Sequence, residues 1–249
     1  MRNPMKTILT ILIFLKLGLV RAQPVNLFAF PLINNQGQTI SSFVPERWAI
    51  LDSTSGDLNG DHKTDIALVI QSKDSLITFT HLEQQGEEFV EINKSEKYLR
   101  RLLLILHKDP LTDIYNLAEQ SNTIILSNDD RTMEDPFEDI KIDNGILKIS
   151  YVAKSKDVDN GITSTYSFLY QNEQYRLVEV ERNIWSEFPP MLENSKFDLV
   201  NQTWSVTKGD PNRGQKPKTI WKDLNNLEIQ TIKTFMRPYT WHVTENIFL

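Results

Sequence analysis

The 249-residue sequence predicts a mostly β protein: antiparallel hairpins forming two packed sheets, sandwich-like or a partial propeller, with a minor helix near the C-terminus. Three observations carry this. Runs of strand length, alternating or wholly apolar, recur along the chain. Turn residues separate them, most clearly Asn144-Gly145. The strand signals do not alternate regularly with helical patterns, as a parallel sheet would require.

Residues 1–22 read as a secretory signal peptide. Arg2 and Lys6 give a basic start, residues 8–15 are apolar apart from Thr10, and Val20-Arg21-Ala22 offers small residues for cleavage before Gln23. Lys16 interrupts the apolar stretch, which falls far short of the roughly 20 residues that cross a bilayer. The expectation is a secreted or periplasmic protein with one β-rich domain over residues 23–249 and no membrane span after cleavage. There is no cysteine, so neither a disulfide nor a lipid-modified cysteine can hold the exported chain. The 27 basic and 33 acidic residues give a net charge of −6. Removing Arg2, Lys6, Lys16 and Arg21 with the leader takes it to −10. Such a chain is poorly suited to nucleic acid or anionic membranes.

The elements follow in order. Residues 48–51 and 66–70 read as strands flanking a polar loop. Residues 75–82 alternate apolar and polar, and are expected to pair with residues 65–70 across a turn at 71–74. The apolar run 101–107 reads as a buried strand, with a short helix as the other reading, and Asp109-Pro110 ends it. Asn144-Gly145 favours a type I′ turn joining residues 140–143 to 146–151. A second hairpin joins residues 163–170 to 175–181 through Gln171-Asn172-Glu173-Gln174. Residues 197–200, 204–206 and 219–221 are further strands. Leu224, Leu227, Ile229, Ile232 and Phe235 have helical spacing. Burial of the apolar faces, worth about 25 cal/mol per Å², can offset chain entropy without cross-links.

The loop in the first hairpin, expected over residues 46–82, is the most informative segment. Asp57, Asn59, Asp61 and Asp65 place side-chain oxygens at loop positions one, three, five and nine. The Lys63 carbonyl is the natural next ligand, since its side chain carries the wrong charge. Calcium takes about six to eight oxygens, and one short loop with added water can supply most of them. Gly60 permits positive φ. Three carboxylates this close repel one another without a cation. Zinc fits poorly, because cysteine is absent and His62 has no second histidine at ligand spacing. The other reading is an acidic turn with no ion. The segment is not an EF-hand: His62 and Leu68 stand where that motif has glycine and a bidentate glutamate.

Gly56-Asp57-Leu58-Asn59-Gly60-Asp61, followed by Asp65-Ile66-Ala67-Leu68-Val69, resembles the calcium loops of FG-GAP and VCBS-type repeats. In that family the loop joins two strands of a propeller blade, which implies a structural calcium site here. The family usually has glycine at the His62 position and repeats the loop in several blades, whereas this chain carries it once and has only nine glycines. The chain as a whole resembles secreted bacterial proteins with one such loop near the N-terminus, sharing the block 48–70 and the Asp135-Pro136-Phe137 step; that likeness implies no activity.

A second acidic group comprises Asp129, Asp130, Glu134, Asp135, Glu138 and Asp139. It reads as a solvated loop or, alternatively, as the carboxylates of a hydrolase, whose chemistry depends on their separation. Glu179 and Glu181 alternate with valines and are expected on one outer strand face. Trp204, Trp221, Tyr239 and Trp241 suit core packing, or a platform for a sugar or protein partner. None of the four histidines lies in a hydrolase motif, and there is no Gly-rich phosphate loop. The expected function is therefore non-enzymatic, a recognition or structural role at the cell envelope with calcium as cofactor and a protein or glycan as partner. The alternatives are a secreted metal-assisted or carboxylate-based hydrolase and an inhibitor-like binding partner.

Overall fold

A computed structural model describes residues 30–73, 76–85, 88–97, 100–127, 133–156, 160–186, 191–209, 217–235, 237–244 and 247–249. Strand-forming residues build two antiparallel sheets. The five-stranded sheet has the order β1 (Gln36–Gly37), β7 (Tyr115–Ser121), β6 (Arg101–Lys108), β3 (Asp65–Ser72), β2 (Trp48–Gly56). The seven-stranded sheet is a meander in chain order: β8 (Phe137–Asp143), β9 (Ile146–Lys154), β10 (Asn160–Gln171), β11 (Gln174–Ser186), β12 (Met191–Asp198), β13 (Thr203–Gly209) and β14 (Lys218–Asp223). Two two-stranded ribbons complete the set, β4 (Leu76–Gln85) with β5 (Glu88–Lys97) and β15 (His242–Thr244) with β16 (Ile247–Phe248). Among the described residues the one helical element is a 3-10 turn at Ile40–Phe43, and no helix is long and apolar enough to cross a membrane.

β3 and β6 are buried on both faces, which is why their sequences run apolar without alternation. Ala67, Val69, Leu103 and Ile105 from this pair share one core with Tyr166, Phe168, Val180 and Phe197 of the meander. The edges of the sheets also meet. Asp52 Oδ2 and Thr54 Oγ1 of β2 accept the amides of Ile140 (3.0 Å) and Ile142 (3.2 Å) on β8. Gly56 makes room for this, because a Cβ there would lie 2.5 Å from Ile142.

Both expected hairpins form. Asn144 and Gly145 take φ of 51° and 77°, the signature of a type I′ turn. The second hairpin is tighter than its four-residue loop suggested: Gln171 pairs with Gln174, leaving Asn172 and Glu173 in the left-handed region at 52° and 63°. Residues 101–107 are strand, not helix. Glu179 and Glu181 do share an outer face, where Lys196 pairs with both. Three of the four C-terminal aromatics pack inward: Trp204 stacks on Phe197, Tyr239 meets Tyr151 and Tyr166, and Trp241 meets Phe235. Trp221 is 70% exposed.

Two expectations are corrected. Residues 76–85 do not return to β3, whose edges are taken by β2 and β6; they pair with β5 instead, so the loop-bearing hairpin stops at Ser72. Residues 224–235 form no helix. Asn225 and Asn226 adopt φ of 49° and 63°, which breaks a helical path. Backbone groups that a helix would use internally bond elsewhere, with Gln230 C=O accepting from Leu177 N–H and Ile232 N–H donating to Tyr175 C=O. Thr231 and Thr234 bond locally to each other's backbone, the competition that disfavours these residues inside helices. Leu224, Ile232 and Phe235 still reach the core, so the apolar spacing reports burial and not helical period.

Candidate metal centre and adjoining cavity

β2 and β3 close the loop by pairing Gly56 with Asp65. Within it the acidic side chains wind the backbone inward. Asp57 accepts the amides of Gly60 (2.8 Å) and His62 (2.9 Å) through its two oxygens. Asn59 Oδ1 accepts the Asp61 amide (3.0 Å), and Asp61 Oδ1 accepts that of Lys63 (2.8 Å). Gly60 and His62 take φ of 81° and 64°. His62 thus occupies the left-handed conformation for which glycine is preferred, with its side chain 96% exposed and 3.6 Å from Asp57.

Asp65 is fully buried and ties the loop to the sheet. Oδ2 accepts the Leu58 amide and Oδ1 the Lys108 amide, each at 2.9 Å. Burial pushes its carboxyl above the usual aspartate range, against the amides of Lys108 and Leu58, while the Asp61 charge adds to the rise. On β6, burial lowers the His107 pKa, and the charges of Asp65, Asp61 and Asp57 oppose that fall. Three loop carboxylates therefore act on one imidazole.

The sequence-predicted ligands behave unequally. Asp57, Asn59 and Asp61 are half-buried, Asp65 is buried and Lys63 is exposed. Asn59 and Asp61 also touch directly, Nδ2 donating to Oδ2 at 3.0 Å. The donor chemistry fits a hard cation: all side-chain donors are oxygens, and an oxygen accepting one N–H keeps a second lone pair. Among the described residues no three His, Asp or Glu side chains converge as metal ligands.

A polar cavity of about 320 Å³ opens beside the loop, with Asn59 and Asp61 on its wall. The sequence reading missed its other members. His107 Nε2 and Tyr175 Oη share a 2.5 Å hydrogen bond. Burial pushes the Tyr175 pKa well up, so the phenol keeps its proton, and either ring nitrogen tautomer of His107 satisfies the pair, since a phenol both donates and accepts. Tyr170, Glu119 and Glu173 complete the relevant wall. The one sequence signal was His107 at the end of the apolar β6 run; Glu119 is buried in a β7 that is mostly half-buried or exposed and gave no such signal. Tyr175 and His107 supply hydrogen-bonding groups and ring faces to the wall.

In the second acidic group Asp135 and Asp139 are held in ion pairs; Asp129 and Asp130 lie outside the described residues. Asp135 meets the guanidinium of Arg101, whose side chain is 2% exposed, with both carboxylate oxygens (2.8 and 2.5 Å). Arg101 also donates to Gln71 Oε1 and to the Leu126 carbonyl. Asp139 pairs with Lys141 at 2.5 Å. Residues 134–139 line neither this cavity nor an apolar one of about 450 Å³ between residues 122–127 and 237–240.

No protein family matches this chain, and no curated protein or solved structure is significantly similar to it.

Proposed function

We propose that this chain is a secreted or periplasmic β-rich recognition domain without catalytic activity, whose residue 57–65 loop binds one calcium ion. Asp57, Asn59, Asp61, the Lys63 carbonyl and Asp65 would hold the ion. Bound calcium would neutralise clustered carboxylate charge and so stiffen the join between β2, β3 and β6. The protein's own residues do the positioning: Asp65 links the loop to Lys108, and Gly60 and His62 supply the left-handed turns. The observation that carries the reading is the loop's hydrogen bonding: Asp57, Asn59 and Asp61 accept the loop's own amides and Asp65 fastens its base, which keeps three carboxylates within one nine-residue loop where like charges repel without a cation. The resemblance to FG-GAP and VCBS-type loops agrees with it. We read the finer architecture as sandwich-like, because inward residues of both large sheets share one core. Extracellular single-loop sites bind calcium at ~0.1–1 mM. At millimolar calcium that linkage adds about 0.5–1.5 kcal/mol of stability. Thermal unfolding in calcium and in chelator tests this: calcium should raise the midpoint, magnesium should do so less, and an unchanged midpoint contradicts the proposal.

A further inference from the structure

The cavity next to the loop has a chemistry of its own, and we propose that it binds an organic cation, the ammonium or guanidinium head of a basic side chain on a partner. This goes beyond the calcium reading: the wall shares Asn59 and Asp61 with the loop, but the inference rests on the rings and on Glu119 and Glu173 and does not require the loop to be filled. Three rings form the aromatic part of the wall. His107 and Tyr170 meet at 5.0 Å and 89°, Tyr170 and Tyr175 at 5.0 Å and 49°, so differently oriented rings make a corner and not one flat face. Ring faces attract cations through their quadrupole, and aromatic cages recognise ammonium groups this way. The volume of about 320 Å³ lies at the small end of ligand-binding cavities.

The charges agree with the rings. Glu119 lies on the wall and its side chain is only 8% exposed. One of its oxygens accepts the neighbouring Gln120 amide at 3.1 Å, and the other stands 3.5 Å from the Nζ of Lys233, a side chain 63% exposed. That long pairing leaves a buried carboxylate only partly compensated. Glu173 projects from the tight β10–β11 turn onto the same wall, and its charge and that of Asp65 both act on Tyr170. The wall's lysine, Lys108, is turned to Asp113 at 2.7 Å and lies over Tyr115. An anion would face these carboxylates unfavourably, and a neutral sugar would leave Glu119 as it is. A basic side chain offers a charge to Glu119 and Glu173 and an aliphatic stem to Tyr170.

The test is calorimetric titration of the full chain with N-acetyl-lysine methylamide and N-acetyl-arginine methylamide. The Nε-acetylated lysine analogue and methyl glucoside serve as neutral controls. All runs are made in chelator, so calcium binding at the loop does not decide the result. The cationic probes should bind, the neutral ones should bind at least about tenfold more weakly, and Glu119→Gln and Tyr170→Leu should each cost about tenfold. Glu173→Gln, in an exposed turn, gives the same reading if a buried variant fails to fold. Equal binding of neutral and cationic probes, no binding of either cation, or affinity unchanged in every folded variant overturns the proposal.

Discussion

The Asp65 carboxylate accepts the backbone amide of Lys108 at 2.9 Å, joining the end of the acidic loop to a strand 43 positions away. With the Leu58 bond at its other oxygen, this buried side chain fastens the loop at its base. Asp65→Asn replaces one acceptor with a donor that faces an N–H. Leaving a buried amide unpaired costs about 1–3 kcal/mol. Chemical denaturation in chelator should show that loss; an unchanged midpoint would mean the loop is held by other contacts.

His62 is an exposed residue at φ 64°. Glycine there removes the left-handed penalty but adds entropy to the unfolded chain, for a net gain of about 0.5–1 kcal/mol. His62→Gly should therefore raise the unfolding midpoint and tighten calcium binding. Lower stability would show that the 3.6 Å approach to Asp57 matters more than the backbone.

Stability should depend on His107 as pH falls. Its folded pKa lies below the ordinary 6.5 because burial disfavours the imidazolium. A depressed pKa gives a contribution present above 6.5 and lost as pH drops through the folded value. Asp65 acts oppositely. Its raised pKa favours the fold below 3.8, and that contribution is lost as pH rises through the folded value. Denaturation midpoints should thus fall as pH moves below 6.5, and His107→Gln should flatten that limb. An identical slope in the variant would remove His107 from the account.

Arg101 is buried and carries Asp135 as its counter-ion. Asp135→Asn should destabilise by about 1–3 kcal/mol, less than a fully buried pair would lose because Asp135 is 43% exposed. Calcium affinity should be unchanged, since the pair lies outside the loop. A variant of full stability whose calcium binding is altered would reverse that assignment.

Local signals were legible in the sequence. Asn144-Gly145, the apolar run of β6 and the alternation through β10 and β11 gave the strands and turns that form. The spacing of Asp57, Asn59, Asp61 and Asp65 marked the loop. What could not be read was set by distant partners. β4 alternates as an ordinary strand does, and nothing in its own residues favours β5 over β3. Residues 224–235 carry helical spacing, yet Tyr175 and Leu177 of β11 claim their backbone. The cavity stayed hidden for the same reason: His107, Glu119 and Tyr175 lie on three strands that only the fold brings together.

Calcium titration by calorimetry, comparing the unaltered chain with an Asp57→Ala/Asp61→Ala variant, tests the central claim most directly. The account predicts one site of roughly 0.1–1 mM affinity in the unaltered chain and none in the variant. No heat of binding at millimolar calcium, or equal binding by both proteins, would contradict it.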